Sequence, residues 1–186
     1  MVRFHAGQPI SKRENRVGKQ WIPVVGAGFL IFSAWALPVS GEGAMNLSSP
    51  EFKNNQPIPE RFTCEGADIN PTLVVEGIPD TARSLALIVD DPDAPMGTWV
   101  HWVIFNIPPT SRINEDRVDG TQGRNDSGGI KYHGPCPPSG THRYFFKIYA
   151  LDALLDLKEG VSKDELAQAM EGHVLDKAEL IGLYGK

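Results

Sequence analysis

The chain has 186 residues, 41% of them hydrophobic, with 18 Lys and Arg against 23 Asp and Glu and a formal net charge of −5 at pH 7. That length suits one domain with an appendage rather than two domains. No basic patch calls for nucleic acid, and residues 45–186 hold 13 basic against 21 acidic residues, a balance that disfavours adsorption to anionic membranes through bulk charge.

The start of the chain departs from that balance. Residues 1–44 carry Arg3, Lys12, Arg13, Arg16 and Lys19 but only Glu14 and Glu42 among the acids. The uncharged stretch WIPVVGAGFLIFSAWALPV follows at 21–39, and then the small, polar SGEGA at 40–44. Cationic, apolar, then small is the order of an export signal, so a signal peptide over 1–44 and an exported product, periplasmic or secreted, are expected. Two readings compete with it. The apolar stretch is near the lower length that spans a bilayer, which allows an uncleaved N-terminal anchor, although Pro23, Gly26 and Gly28 weaken a helix there. Translation from Met45 would instead leave the protein cytoplasmic.

From Leu47 to Asn70 short apolar pieces around Phe52, Ile58 and Phe62 alternate with Pro, Asn and Gly, the pattern of short strands and turns at the edge of a β-domain. TLVVEGIP at 72–79 and SLALIVDD at 84–91 read as strands, and the second delivers an acidic loop, DDPDAP. Pro92 and Pro95 fix their own φ and push the preceding residue towards extended geometry, so Asp91 and Asp93 are held in a stiff loop at a strand end. Beyond Gly97 the run TWVHWVIFNIP alternates as a strand, with Trp99, His101, Val103 and Phe105 expected on one face and Val100, Trp102, Ile104 and Asn106 on the other. Taken alone, His101 is a core histidine satisfied by a backbone carbonyl.

Residues 110–131 have few large apolar side chains and many Gly, Asn and Asp, which predicts a long surface excursion whose Arg124, Asn125 and Asp126 either lean over a site or are simply solvated. The layout of turn and strand then repeats. YHGPCPPSGTHRYFFKIYALD at 132–152 is a turn rich in Gly and Pro feeding an aromatic and β-branched run, with His142, Tyr144, Phe146 and Ile148 on one face. Prolines remove donors from that turn, which leaves the N–H groups of Gly134 and Cys136 as the expected free ones. Ser162-Lys-Asp-Glu165 is a capping box, and Leu166, Ala169, Met170, His173 and Val174 follow at helical spacing on the packing face. The tail KAELIGLYGK either extends that helix or forms a last strand.

DPDAP followed by a histidine strand, and then GPCPPSGTHRY, resembles the phosphatidylethanolamine-binding protein family, specifically its bacterial Raf-kinase-inhibitor-like branch, over roughly residues 45–186. The resemblance implies a mainly β fold, a Greek-key antiparallel sandwich with one or two C-terminal helices, and favours the strand reading of the tail. It implies a small pocket for phosphate or phosphorylated headgroups, anionic or zwitterionic, and no shared catalytic reaction. Carried over by position, the ligand-binding residues are Asp91, Asp93 and Pro95 of the acidic loop, His101, Gly134 of the turn, and His142 with Tyr144. A kinase or protease held by the pocket loops is the protein partner it suggests. Animal members compose the second turn differently and carry a C-terminal helical extension, so their partners do not transfer. Oligomeric state is left open, a homodimer included.

Cys64 and Cys136 are the two cysteines. In an exported chain they read first as a disulfide, worth roughly 4 kcal/mol in the chain-entropy model before strain is subtracted. In a reducing compartment two buried thiols are the expectation instead. No metal or other cofactor is called for. The rival is a metal-dependent hydrolase in which His101, His142 and Asp91 or Asp93 bind a divalent ion, a legitimate ligand set that lacks any local His-x-x-x-His spacing. A serine nucleophile at Ser139 is disfavoured, because no strand-to-helix elbow surrounds it. The expected chemistry is capture rather than turnover, with Asp91 and Asp93 orienting the donors and favouring ligands that carry an amine.

Overall fold

The structure, a computed structural model, describes residues 43–117 and 119–185. The export signal and its two alternatives therefore lie outside the described residues, Gly43 and Ala44 excepted. Nine strands, a 3-10 turn and one helix follow in order: β1 (Asn46–Ser48), β2 (Gln56–Pro57), the 3-10 turn (Glu60–Phe62), β3 (Leu73–Glu76), β4 (Ser84–Asp91), β5 (Trp99–Ile107), β6 (Arg112–Ile113), β7 (Thr121–Gln122), β8 (Thr141–Leu151), α1 (Lys163–Met170) and β9 (Val174–Gly185).

They form a three-stranded sheet, β1-β3-β6, and a six-stranded sheet, β2-β9-β8-β4-β5-β7. Within the larger sheet β4, β5 and β7 run side by side, and β8 returns to lie beside β4, which is the Greek-key order. Every pairing is antiparallel except the short parallel contact of β2 with β9.

The middle of the large sheet explains the apolar runs in the sequence. All eight residues of β4 are buried, because both faces of the strand are covered. Leu85, Leu87 and Val89 pack with Leu47, Leu73, Val75 and Ile113 of the small sheet, while Ala86 and Ile88 pack with Leu166 and Met170 of α1. On β8 the expected alternation holds, with Tyr144, Phe146 and Ile148 all joining the first of these clusters.

Two sequence expectations fail for identifiable reasons. Strict alternation along β5 puts His101 with Val103 and Phe105, but Val89 pairs with Trp102 while Asp90 pairs with Val100, so His101 is the extra residue of a β-bulge. The bulge turns its ring towards Tyr144, on the Trp102 face, with ring centroids 5.1 Å apart. A second irregularity, with Asn106 at φ 53°, again resets the alternation before Ile107. The helix likewise stops early. Its capping box forms as expected, Ser162 Oγ accepting from the Glu165 N–H and the Glu165 carboxylate from the Ser162 N–H. Gly172 at φ 79° then turns the chain into β9, so His173 and Val174 lie beyond the helix and Val174 opens the last strand.

Residues 110–131 are less of a free excursion than their composition suggests. The N–H of Gly123 donates to the Val103 carbonyl, and Val100 and Asp126 bond reciprocally through the Asp126 carboxylate and N–H, which pins the segment along β5.

Candidate ligand-binding cleft

The end of β4, the start of β5 and the turn before β8 meet at a cleft of about 430 Å³. Its polar residues are Asp91, His101, His133 and His142, and its walls come from Ala94, Pro95, Met96 and Trp99 on one loop and Cys136, Pro137 and Pro138 on the other. Asp91, Pro95, His101 and His142 are thus brought together from sequence-distant positions. Asp93, Gly134 and Tyr144 stand behind the lining rather than on it.

Two of the three imidazoles, His101 and His142, are fixed from behind by hydrogen bonds at Nδ1. His142 Nδ1 donates to Asp91 Oδ2 at 2.7 Å, and the other Asp91 oxygen accepts the Asp93 N–H at 2.8 Å. His101 Nδ1 donates to the His133 carbonyl at 2.7 Å, and the His133 N–H returns to the His101 carbonyl at 3.1 Å. A carbonyl only accepts, so the proton of neutral His101 sits on Nδ1 and its Nε2 carries the lone pair. Burial holds the His101 pKa below the ordinary imidazole value, the carbonyl bond opposing it only in part. In both rings Nε2 is the nitrogen left for a ligand.

The supporting residues explain the rest of the motif. Asp93 takes a two-pronged grip from Arg143, Nε at 2.8 Å and Nη2 at 2.7 Å, and the Arg143 N–H as well. That guanidinium holds the Asp93 pKa down at about 2 and ties the acidic loop to β8. The Gly134 N–H, expected to be free, donates to Asp68 Oδ1 at 2.6 Å. Gly134 is glycine because a Cβ there would lie 2.5 Å from the Phe62 carbonyl oxygen. A disulfide joins Cys64 to Cys136 across a Cα separation of 5.5 Å, and the Cys64 N–H reaches the Pro135 carbonyl, so the turn is braced against the segment after the 3-10 turn. Tyr144 Oη is buried with no hydrogen-bond partner among the described residues; the Cys136 N–H leans towards it without closing a bond, and burial pushes the phenol up.

Sequence reasoning singled out neither His133, stacked on His101 with ring centroids 6.0 Å apart, nor Trp99 and Met96 on the wall. His133 directly precedes Gly134 in the quoted turn, so the motif itself carried that signal. Arg124, Asn125 and Asp126 are not at this cleft: Asn125 is buried and spends its side chain on the Lys131 carbonyl, the Gly129 N–H and Ser127. The metal-ion alternative is not assembled either. Among the described residues no three His, Cys, Asp or Glu groups converge as a ligand set, and both Asp91 oxygens are already engaged.

Residues 48–185 match the family model described as phosphatidylethanolamine-binding protein. The chain is 57% identical over 148 residues to a UPF0098 protein of Methanothermobacter thermautotrophicus, covering 75% of this chain and 98% of that one. A UPF0098 protein of Pyrococcus horikoshii is 51% identical over 178 residues, 89% of each chain. Among solved structures, a phosphatidylethanolamine-binding protein homologue from Chlamydia trachomatis superposes with a TM-score of 0.75 at 44% identity, covering 77% of this chain and 98% of that one. Escherichia coli YbcL, described as a member of the mammalian family, gives 0.72 at 28% identity, covering 77% and 99%. With the family's sequence signature and its fold both present, the chain belongs to the phosphatidylethanolamine-binding protein family, whose fold is that of a binding protein.

Proposed function

We propose that this cleft captures small phosphorylated ligands, free or as headgroups, and holds them without turnover. The observation that carries the reading is the pair of back-bonded imidazoles, His101 and His142, each with Nε2 left for a ligand in one cleft. Asp91 lies 2.7 Å behind His142 Nδ1 and orients the ring so that Nε2 is presented to the ligand. Neither acid of the loop is bare, since Asp93 is neutralised by Arg143 and Asp91 faces His142. The preference for amine-bearing ligands expected from two uncompensated carboxylates loses that cause, and inorganic phosphate and phosphoethanolamine should bind comparably.

Calorimetric titration of the full chain with both ligands tests this. His142→Ala should weaken each by at least about tenfold, one charge-assisted hydrogen bond being worth about 1.5 kcal/mol or more. No heat from either ligand at millimolar concentration would remove the proposal. Because burial lowers the His101 pKa, this ring is neutral at pH 7 and gains its proton only below the ordinary imidazole value of 6.5. Anion affinity should therefore climb as pH falls through that range. Without ligand, the same protonation works against the fold, whose stability is full above pH 6.5 and declines as pH drops through the lowered value.

Export is proposed on the sequence of residues 1–44, and a disulfide is in keeping with an oxidising compartment. Mass measurement of the mature N-terminus checks it; a product starting at Met45 with no processed precursor would contradict it.

A further inference from the structure

Met96 stands at the tip of the acidic loop with 99% of its surface exposed, between Pro95 and Gly97, the latter at φ 106°. The other methionines among the described residues are packed away, Met45 at 7% exposure against the small sheet and Met170 at 5% beneath α1. Met96 also shares the cleft wall with Trp99, Pro137 and Pro138. The cleft therefore has a polar floor and an apolar lip, and the most accessible thioether of the described domain is on the lip. Thioether oxidation follows access to the oxidant.

We propose that Met96 is an oxidation site for peroxide-class oxidants, and that its sulfoxide weakens the hold of the cleft on phosphorylated ligands whose apolar portion leaves past this lip. The proposal rests on the phosphorylated-ligand reading above. In the reaction the O–O bond of the peroxide breaks and an S–O bond forms; sulfur gives up two electrons, and the released hydroxide takes a proton and leaves as water. A flexible apolar side chain becomes a polar one with a strong acceptor. Covering that acceptor with an acyl stem leaves it without a hydrogen bond, which opposes binding. The imidazoles of the floor are untouched, so a headgroup without a stem does not sense the change.

The full chain is treated with graded hydrogen peroxide and its methionine peptides are weighed, while native and oxidised protein are titrated with phosphoethanolamine and with a short-chain phosphatidylethanolamine below its micelle concentration. Met96 should gain its oxygen well before Met45 and Met170. Affinity for the short-chain lipid should then fall about tenfold, the scale of a lost methionine contact, and affinity for phosphoethanolamine should hold. Met96→Leu cannot be oxidised, so whatever lipid affinity it has before treatment should be the same after it, and Met96→Gln should start weak. Oxidation of Met45 or Met170 at the same rate overturns the proposal, as does lipid affinity unchanged by oxidation. Native protein that binds neither ligand overturns the phosphorylated-ligand reading itself; lipid affinity that survives oxidation of Met96 while native protein binds both ligands overturns the lip's role alone.

Discussion

Asp90 and Asp91 are neighbours at the end of β4, yet they face opposite sides of the large sheet and serve different ends. Asp90, on the α1 side, is 0% exposed, and its carboxylate receives Lys147 Nζ at 2.8 Å and Lys163 Nζ at 2.6 Å. Asp91, 3% exposed on the cleft side, receives His142 Nδ1 at 2.7 Å. Both obey the rule that a buried charge needs a partner. Lysine ammoniums use up the charge of Asp90 in tying the helix to the sheet. An imidazole with its second nitrogen still open keeps Asp91 coupled to whatever enters the cleft. Burial and pairing alone do not mark a site; the unspent valence of the partner does.

The comparison can be broken from either side. Asp90→Ala strands two ammoniums, but their side chains are 29% exposed and can turn to water, so the loss should be about 2–3 kcal/mol, short of a fully buried broken pair. Urea unfolding measures it, and phosphate affinity should not move. A variant as stable as its parent would mean that Asp90 braces nothing. Asp91→Asn should cost the fold less, about 1 kcal/mol, since an amide keeps one of the two acceptor contacts. Its mark should be on binding: with no carboxylate behind Nδ1 to orient the His142 ring, phosphate affinity should fall. Phosphate affinity equal to the parent's would mean that Asp91 does not orient the ring. The smallest effect belongs to Asp93. Its lowered pKa means that the Arg143 grip contributes above the ordinary carboxylate value of 3.8 and is lost as pH falls through about 2. Arg143 is half-exposed, so Arg143→Gln should cost the fold only slightly at pH 6, and less at pH 2, where Asp93 is half protonated. A stability gap undiminished at the lower pH would show that the grip is not electrostatic.

Much of this was legible in the letters, and what was not has physical causes. The period-2 run through Tyr144, Phe146 and Ile148 placed the core face of β8 correctly, and the Ser162 box placed the start of α1, because both are local signals. His101 went to the wrong face because alternation cannot register an inserted residue, and the bulge shows only once Asp90 pairs with Val100. The Gly134 amide looked free because its acceptor, Asp68, is 66 residues away. Asp90 went unremarked for the same reason, its lysines lying 57 and 73 residues further on. Tertiary partners decide which donors and charges remain available, and spacing along the chain does not report them.

The Greek-key order has a consequence for when the cleft comes into being. Asp91 and His142 are 51 residues apart and meet only when β8 docks along β4, a long-range pairing that closes late and slowly in a folding chain. An incompletely assembled chain has half a receptor and gains nothing from ligand. Occupancy thus rewards the finished topology alone, and any molecule the cleft accepts acts as a thermodynamic lock on it.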